Sequence, residues 1–415
     1  MPRTASTLLD EQMPRISPQE LATHYARFNV SERLLMTGHS HQAWPDVARE
    51  AQLRAFDAAA ERVDGKWGEA YEVADRVREG WKQLLGDGEG GEVALAANTH
   101  ELLVRFLSAL DWSERRTILT TDAEFHTVRR QVDRLAETGW VAVRKVEGRP
   151  VETVVERMIA ALDDSVACVI LSSVYFGTSE VVPHIAALAE ACAERGVELL
   201  IDSYHHLNAL PFSLESLGLK QAFVMGGGYK YCQLGEGNCF LRFPADSQAR
   251  PVFTGWYSEF AELADARTPG EVRYGKGSAR FMGATYDPTS HYRAAAVMDF
   301  FTDQQLTPER LRDLSQHQLR RLAGGLASTL GGDPDPTLND RFPGLRRGFE
   351  KVGGFLSVRT TRAAALHERL NDRGVLTDFR GDLLRFGPAP YVTDQQLDTV
   401  AEIFSEVVRE VGLGD

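Results

Sequence analysis

Short, nearly continuous apolar runs mark this chain: EVALAAN at 92–98, TILTTD at 117–122, WVAVRKV at 140–146, VACVILSSV at 166–174, VELLID at 197–202, QAFVM at 221–225 and NCFLRFP at 238–244. They have strand length, and their lack of alternation suits strands covered on both faces. Between them the apolar positions recur at helical spacing, as in 46–63, 67–86, 99–110 and 151–164. A helix is predicted from Pro183 to Arg195, with proline early and Gly196 just past its end. Strand alternating with helix predicts an α/β fold with a mostly parallel, doubly wound sheet. From His291 the pattern changes to a long amphipathic helix, then short strands and a helix closed by Gly374. The expected division is an N-terminal segment (1–45) packing with the small domain and the site, a large domain (46–290) and a small C-terminal α+β domain (291–415).

Bulk properties narrow the function classes. A net charge of −13 argues against a nucleic-acid or anionic-membrane surface. No apolar run approaches the roughly 18 residues of a membrane span. Residues 1–15 have no apolar core of a secretory signal. Four cysteines without paired or zinc-ligand spacing point to a reducing compartment, and the expectation is a cytoplasmic protein. His39 and His41 form a His-x-His without a third ligand nearby, so no metal site is expected.

In a doubly wound sheet functional groups gather at the carboxyl ends of the strands. Asn98, Phe125, Tyr175 and Asp202 fall there. After the next strand come Gly226, Gly227 and Gly228, then Tyr229 and Lys230. An acid at one strand end and a lysine after a glycine-rich turn at the next are what pyridoxal 5'-phosphate (PLP) requires. The lysine amine forms a Schiff base with its aldehyde, and the carboxylate keeps its pyridinium nitrogen protonated. The glycines are expected to let the backbone approach the cofactor. Asn98 and Thr99 open a predicted helix, where either caps it and its amides can hold a phosphate.

These residues resemble the PLP-dependent fold-type I enzymes of the class V aminotransferase group, and within it most closely kynureninase. The resemblance rests on Asp202-x-x-His205, Tyr229-Lys230, Gly255-Trp256, and Arg385 ahead of Pro388-x-Pro390 and Tyr391. It implies cofactor contacts from Asn98, Thr99, Phe125 (stacked on the ring), Tyr175, Asp202, His205 (supporting Asp202), Tyr229, Lys230, Trp256 and Thr285, the last across a homodimer. Substrate contacts are implied for His39, Ser40 and Arg385, the arginine gripping the α-carboxylate. Lys230 would move the α-proton, and Tyr229 would aid attack of water on the γ-carbonyl. The implied activity is hydrolysis of the Cβ–Cγ bond of kynurenine, or a related 2-amino-4-oxo acid, to an anthranilate-type product and alanine, as in tryptophan catabolism. Alternatives on the same scaffold are an aminotransferase or lyase acting on another amino acid, or a degenerate non-enzymatic protein. The chain departs from the kynureninase pattern at His39, His41, Val128, Phe176 and Glu259, and His126 beside Phe125 leaves that register open by one.

Overall fold

A computed structural model describes residues 16–88, 90–263 and 268–414. The stretch read as lacking a secretory signal, 1–15, lies outside the described residues. Seven strands form the central sheet: β2 (Gly91–Ala96), β3 (Thr117–Thr121), β4 (Ala142–Val146), β5 (Val166–Ser172), β6 (Glu198–Asp202), β7 (Phe223–Gly227) and β8 (Cys239–Pro244), in the order β2-β8-β7-β6-β5-β3-β4. Only β8 runs against its neighbours. The sheet is therefore mostly parallel, as the alternation of elements predicts.

Side-chain alternation divides the core. Val169, Leu171, Leu199 and Ile201 face one layer, with Trp81, Met158 and Leu188 from helices α2 (Trp67–Leu85), α5 (Val154–Ala160) and α6 (Ile185–Glu194). Cys168, Ile170 and Leu200 face the other, with Leu102, Phe106, Val128 and Val132 from α3 (Thr99–Ser108) and α4 (His126–Glu137). Burying each such apolar side chain stabilises the fold by about 1.5–3 kcal/mol, which explains why the strands read as unbroken apolar runs. Helix α6 starts later than Pro183 suggests. His184 takes a left-handed conformation (φ 59°), so the helical turn begins at Ile185.

Helix α1 (Val47–Arg62) packs with α7 (Thr289–Asp303) on the large domain. Ala294 and Val297 of α7 lie in the large core while its Phe300 reaches a second core, so the expected boundary at 290 falls inside a helix serving both. That second core joins α8 (Pro308–Leu330), α9 (Ala363–Asp372) and α10 (Asp394–Val411) to a three-stranded antiparallel sheet of β11 (Asp378–Arg380), β12 (Leu383–Phe386) and β9 (Leu356–Arg359). A parallel pair, β1 (Leu34–Leu35) with β10 (Val375–Leu376), and a bridge from Thr37 to Gly387 tie the N-terminal segment to it. No helix among the described residues is long and apolar enough to cross a membrane.

The glycine run has a different physical reason from the one expected. A Cβ on Gly227 would come 2.5 Å from Cys239 Sγ and from the Tyr204 ring, and one on Gly228 would meet Leu234 at 2.6 Å. These glycines make room for protein side chains under the Lys230 turn, rather than for a cofactor. Gly227→Ala is expected to lose about 1–3 kcal/mol of stability by overpacking, read by denaturant unfolding. Unchanged stability would mean that Tyr204 and Cys239 yield freely.

Candidate active site

At the carboxyl end of the sheet lies a cavity of about 300 Å³. Asn98, Thr99, Phe125, Asp202, His205, Tyr229 and Lys230 line it. A larger trough of about 580 Å³ lies at the amino end, around Glu198, Gln221 and Pro244. Its lining includes no lysine, and the strand-end groups point away from it.

Lys230 follows β7 in a loop that closes on itself. Gln233 N–H donates to the Lys230 carbonyl and Leu234 N–H to that of Gly228. Gln233 itself holds a left-handed conformation (φ 59°). Its side chain is fixed by Tyr25 Oη, 2.5 Å away, and by Gln42, 2.8 Å away, both from the N-terminal segment. Lys230 is buried, its Nζ 4.6 Å from the Tyr204 ring centre and 5.4 Å from that of Phe125. Burial pushes its pKa down to about 7, against the opposing pull of Asp202. Its amine is therefore substantially uncharged near neutral pH, which a nucleophilic lysine requires.

His205 was expected to support Asp202. Instead its Nε2 lies 2.7 Å from Lys230 Nζ. Burial, then the charge of Lys230, hold its pKa well below the usual imidazole value, and its buried Nδ1 has no partner among the described residues. A neutral imidazole can accept a hydrogen bond from the amine. Asp202 ends β6, with its Oδ1 accepting from the Tyr204 amide at 2.9 Å. Burial raises its pKa. It is thus a buried carboxyl on the cavity wall with one hydrogen bond from the described residues, so a protonated ring nitrogen in the cavity would supply the cation it lacks. Asn98 caps α3 by accepting from the Glu101 amide, and Ala97 to His100 place that helix start on the cavity, suited to an anionic group. An aldehyde-bearing, phosphorylated pyridine fits this set.

Phe125, rather than His126, lines the cavity. Phe176 also lines it and meets both rings edge-on at 5.3 Å. Val128 is core. Tyr175 does not line the cavity. Its neighbours Val174 and Phe176 do, while its own side chain turns into the core, where the Glu124 charge bears on it. Ser40 is half-buried and bonded to His41, whose ring stacks on Tyr229 at 4.7 Å. Trp256 and Thr285 are exposed and line no part of the cavity in this chain. His39 and Arg385 lie behind it, both on Asp378.

Several residues escaped the sequence reading. Tyr204 underlies Lys230, and the only signal was its place two residues after Asp202. Ser172 faces Asp202 across the β5–β6 ladder, and its Oγ donates to Glu124 Oε2 at 2.5 Å. Thr121 donates to the other Glu124 oxygen at 2.7 Å. Glu124 is buried, and burial pushes its pKa up to about 7. Its immediate precedence to Phe125 was the available sign.

The folded protein therefore binds the Glu124 proton more tightly than the unfolded chain does. The associated stability is fully present below about pH 4.5 and is lost as pH rises through about 7. Glu124→Gln is expected to gain up to about 3 kcal/mol over the parent between pH 5 and pH 8, read by urea unfolding at both. A gap between the two proteins that does not change with pH would refute this.

Comparisons with known proteins bear on the fold and on the sequence. A family model described as kynureninase C-terminal domain matches residues 346–404. A kynureninase from Geobacillus thermodenitrificans (strain NG80-2) is 25% identical over 289 residues, 66% of this chain and 61% of its own length, so the chain spans under two thirds of that relative. The uncharacterized aminotransferase YcbU of Bacillus subtilis (strain 168) is 21% identical over 350 residues, 83% of this chain and 86% of its own. Among solved structures, the apo cysteine desulfurase from Thermococcus onnurineus NA1 superposes with a TM-score of 0.79 at 16% identity, covering 96% of this chain and 99% of that one. A C-DES variant with glycine covalently linked to its PLP cofactor gives 0.75 at 16% identity, covering 92% and 98%. This chain therefore has the architecture of the fold-type I, class V PLP-dependent enzymes, and in sequence it is similar to kynureninase.

Proposed function

We propose that this protein is a PLP-dependent hydrolase that cleaves the Cβ–Cγ bond of kynurenine or a related 2-amino-4-oxo acid, a reaction of tryptophan catabolism in the cytoplasm. The observation that carries the PLP reading is a buried lysine with a pKa near 7 on one cavity with a buried, singly bonded aspartate. PLP supplies an aldehyde for the Lys230 amine and a ring that withdraws electrons from the substrate α-carbon. Asp202 would hold the ring nitrogen, Phe125 would pack on the ring, and the α3 amino terminus with Asn98 and Thr99 would take the phosphate. Lys230, uncharged and oriented by His205, moves the proton at the substrate α-carbon. Tyr229 keeps its proton, since burial pushes its pKa up to about 12. Its hydroxyl therefore donates toward the substrate γ-carbonyl rather than deprotonating water. Arg385 receives the α-carboxylate through charge-assisted hydrogen bonds.

The kynureninase side of the reading is favoured by the similarity at 346–404, the segment that carries Asp378 and Arg385. Desulfurase chemistry needs a reactive thiol near the substrate. All four cysteines are buried, and burial pushes each thiol pKa up. An aminotransferase or lyase acting on another amino acid remains the second reading, since scaffold does not fix chemistry and a relative spanning most of the chain is named an aminotransferase.

The deciding experiment incubates the PLP-loaded protein with kynurenine and with 3-hydroxykynurenine. Anthranilate or its hydroxy form should appear together with alanine, without any keto-acid acceptor. Acceptor-dependent turnover alone would establish the aminotransferase reading instead. Borohydride reduction and peptide mapping should tag Lys230, and label on a different lysine would end the assignment.

Thr285 enters the site in this proposal from a second copy, as a homodimer would place it. Sedimentation at micromolar concentration should give twice the 46.0 kDa chain mass. A fully active monomer would contradict it.

A further inference from the structure

Arg385 does not stand free to meet a ligand. Asp378 faces it directly across the β11–β12 ladder. The two strands join through Gly381 (φ 58°) and Asp382, a two-residue hairpin that leaves this pairing no slack. Asp378 accepts from Nε at 2.8 Å and from Nη2 at 2.5 Å, occupying one whole edge of the guanidinium. Nη1 donates to the Phe176 carbonyl at 2.5 Å, on the cavity wall. His39 Nε2 lies 2.9 Å from the same Asp378 oxygen that receives Nε. The His39 ring is fully buried, 4.6 Å from that of Phe355, and Arg385 Cζ is 5.5 Å from the same ring. Backbone crowding fixes the histidine: a Cβ on Gly387 would come 2.5 Å from His39 Nδ1, and one on Gly38 2.8 Å from the Gly387 carbonyl oxygen. Burial works against the Asp378 charge, but the bonds from His39 and Arg385 hold its carboxyl well below the usual range.

We propose that Asp378 is the positioning residue for Arg385, and that His39 fixes Asp378, so that only the Nη1 end of Arg385 turns from the Phe176 carbonyl to a substrate carboxylate. This rests on the reading of Arg385 as the carboxylate receptor. Because Asp378 neutralises the guanidinium, the site discriminates by the direction of its free N–H groups more than by net charge. The ligand it suits is a planar acceptor arriving where a carbonyl oxygen now sits, as the α-carboxylate of an amino acid does.

The test compares the binding of L-alanine with that of ethylamine, its counterpart without the carboxylate, to the PLP-loaded protein by visible absorbance. The quantity read is the ratio of the two affinities. Asp378→Asn and Asp378→Glu should each lower that ratio about tenfold or more, with ethylamine binding kept within about threefold. His39→Gln, which retains an N–H for Asp378, should hold the ratio near the parent value, and His39→Ala should lower it. Arg385→Ala should bring it close to one. A parent-like ratio in both Asp378 variants, with Arg385→Ala still abolishing discrimination, overturns the positioning role alone. A parent-like ratio in Arg385→Ala overturns the receptor reading itself. Should neither Asp378 variant fold, the His39 pair decides, and equal ratios in His39→Ala and the parent overturn the proposal.

Discussion

Burial of the Lys230 amine is the constraint on which the rest of the site depends. Taking an ammonium out of water disfavours its charged form, and here that effect outweighs the attraction of Asp202. The groups packed around the lysine maintain that burial. His205, itself kept neutral by burial, receives it. The faces of Tyr204 and Phe125 enclose it. The glycines beneath the turn let Tyr204 and Cys239 pack close enough to exclude water from that side.

That burial is shared between two cores. The turn carrying Lys230 belongs to the large domain, but the left-handed Gln233 that closes it is held by Tyr25 and Gln42. Those residues are fastened in turn to the small domain, through β1 with β10 and through the Tyr391 hydroxyl on the Ala43 amide. The N-terminal segment therefore couples the lysine to the same hairpin that holds Arg385. A movement of the small domain would be felt both at Lys230 and at Arg385.

The carboxylates divide in an instructive way. Asp202 and Glu124 are both raised by burial, and Glu124 accepts from the Ser172 and Thr121 hydroxyls. Asp378 is less deeply buried, and its paired arginine and histidine keep it ionised. Burial and partners both contribute to the difference: the Glu124 hydroxyl partners can serve a carboxyl in either form, whereas a guanidinium edge favours the charged one. Of these acids only Asp202 lines the cavity; Glu124 is bonded to Ser172, and Asp378 to Arg385 and His39.

By itself the sequence determined the doubly wound architecture, because helix and strand periodicities are local and each apolar run is long enough to span a covered strand. It also indicated which strand ends meet: Asn98, Phe125, Asp202, Tyr229 and Lys230 line one cavity as their positions in the alternation implied. Tertiary structure decided what those groups touch. The His205 contact to Lys230, the inward turn of Tyr175 and the crowding at Gly227 depend on neighbours 12 to 25 residues away or on another layer of the fold. Asp378 lay in plain view seven residues before Arg385, but its bond to the guanidinium follows from the register of a tight hairpin, and its bond to His39 spans 339 positions. Residue spacing along the chain encodes the period of an element; it does not encode which side chains a closed cavity brings within hydrogen-bonding distance.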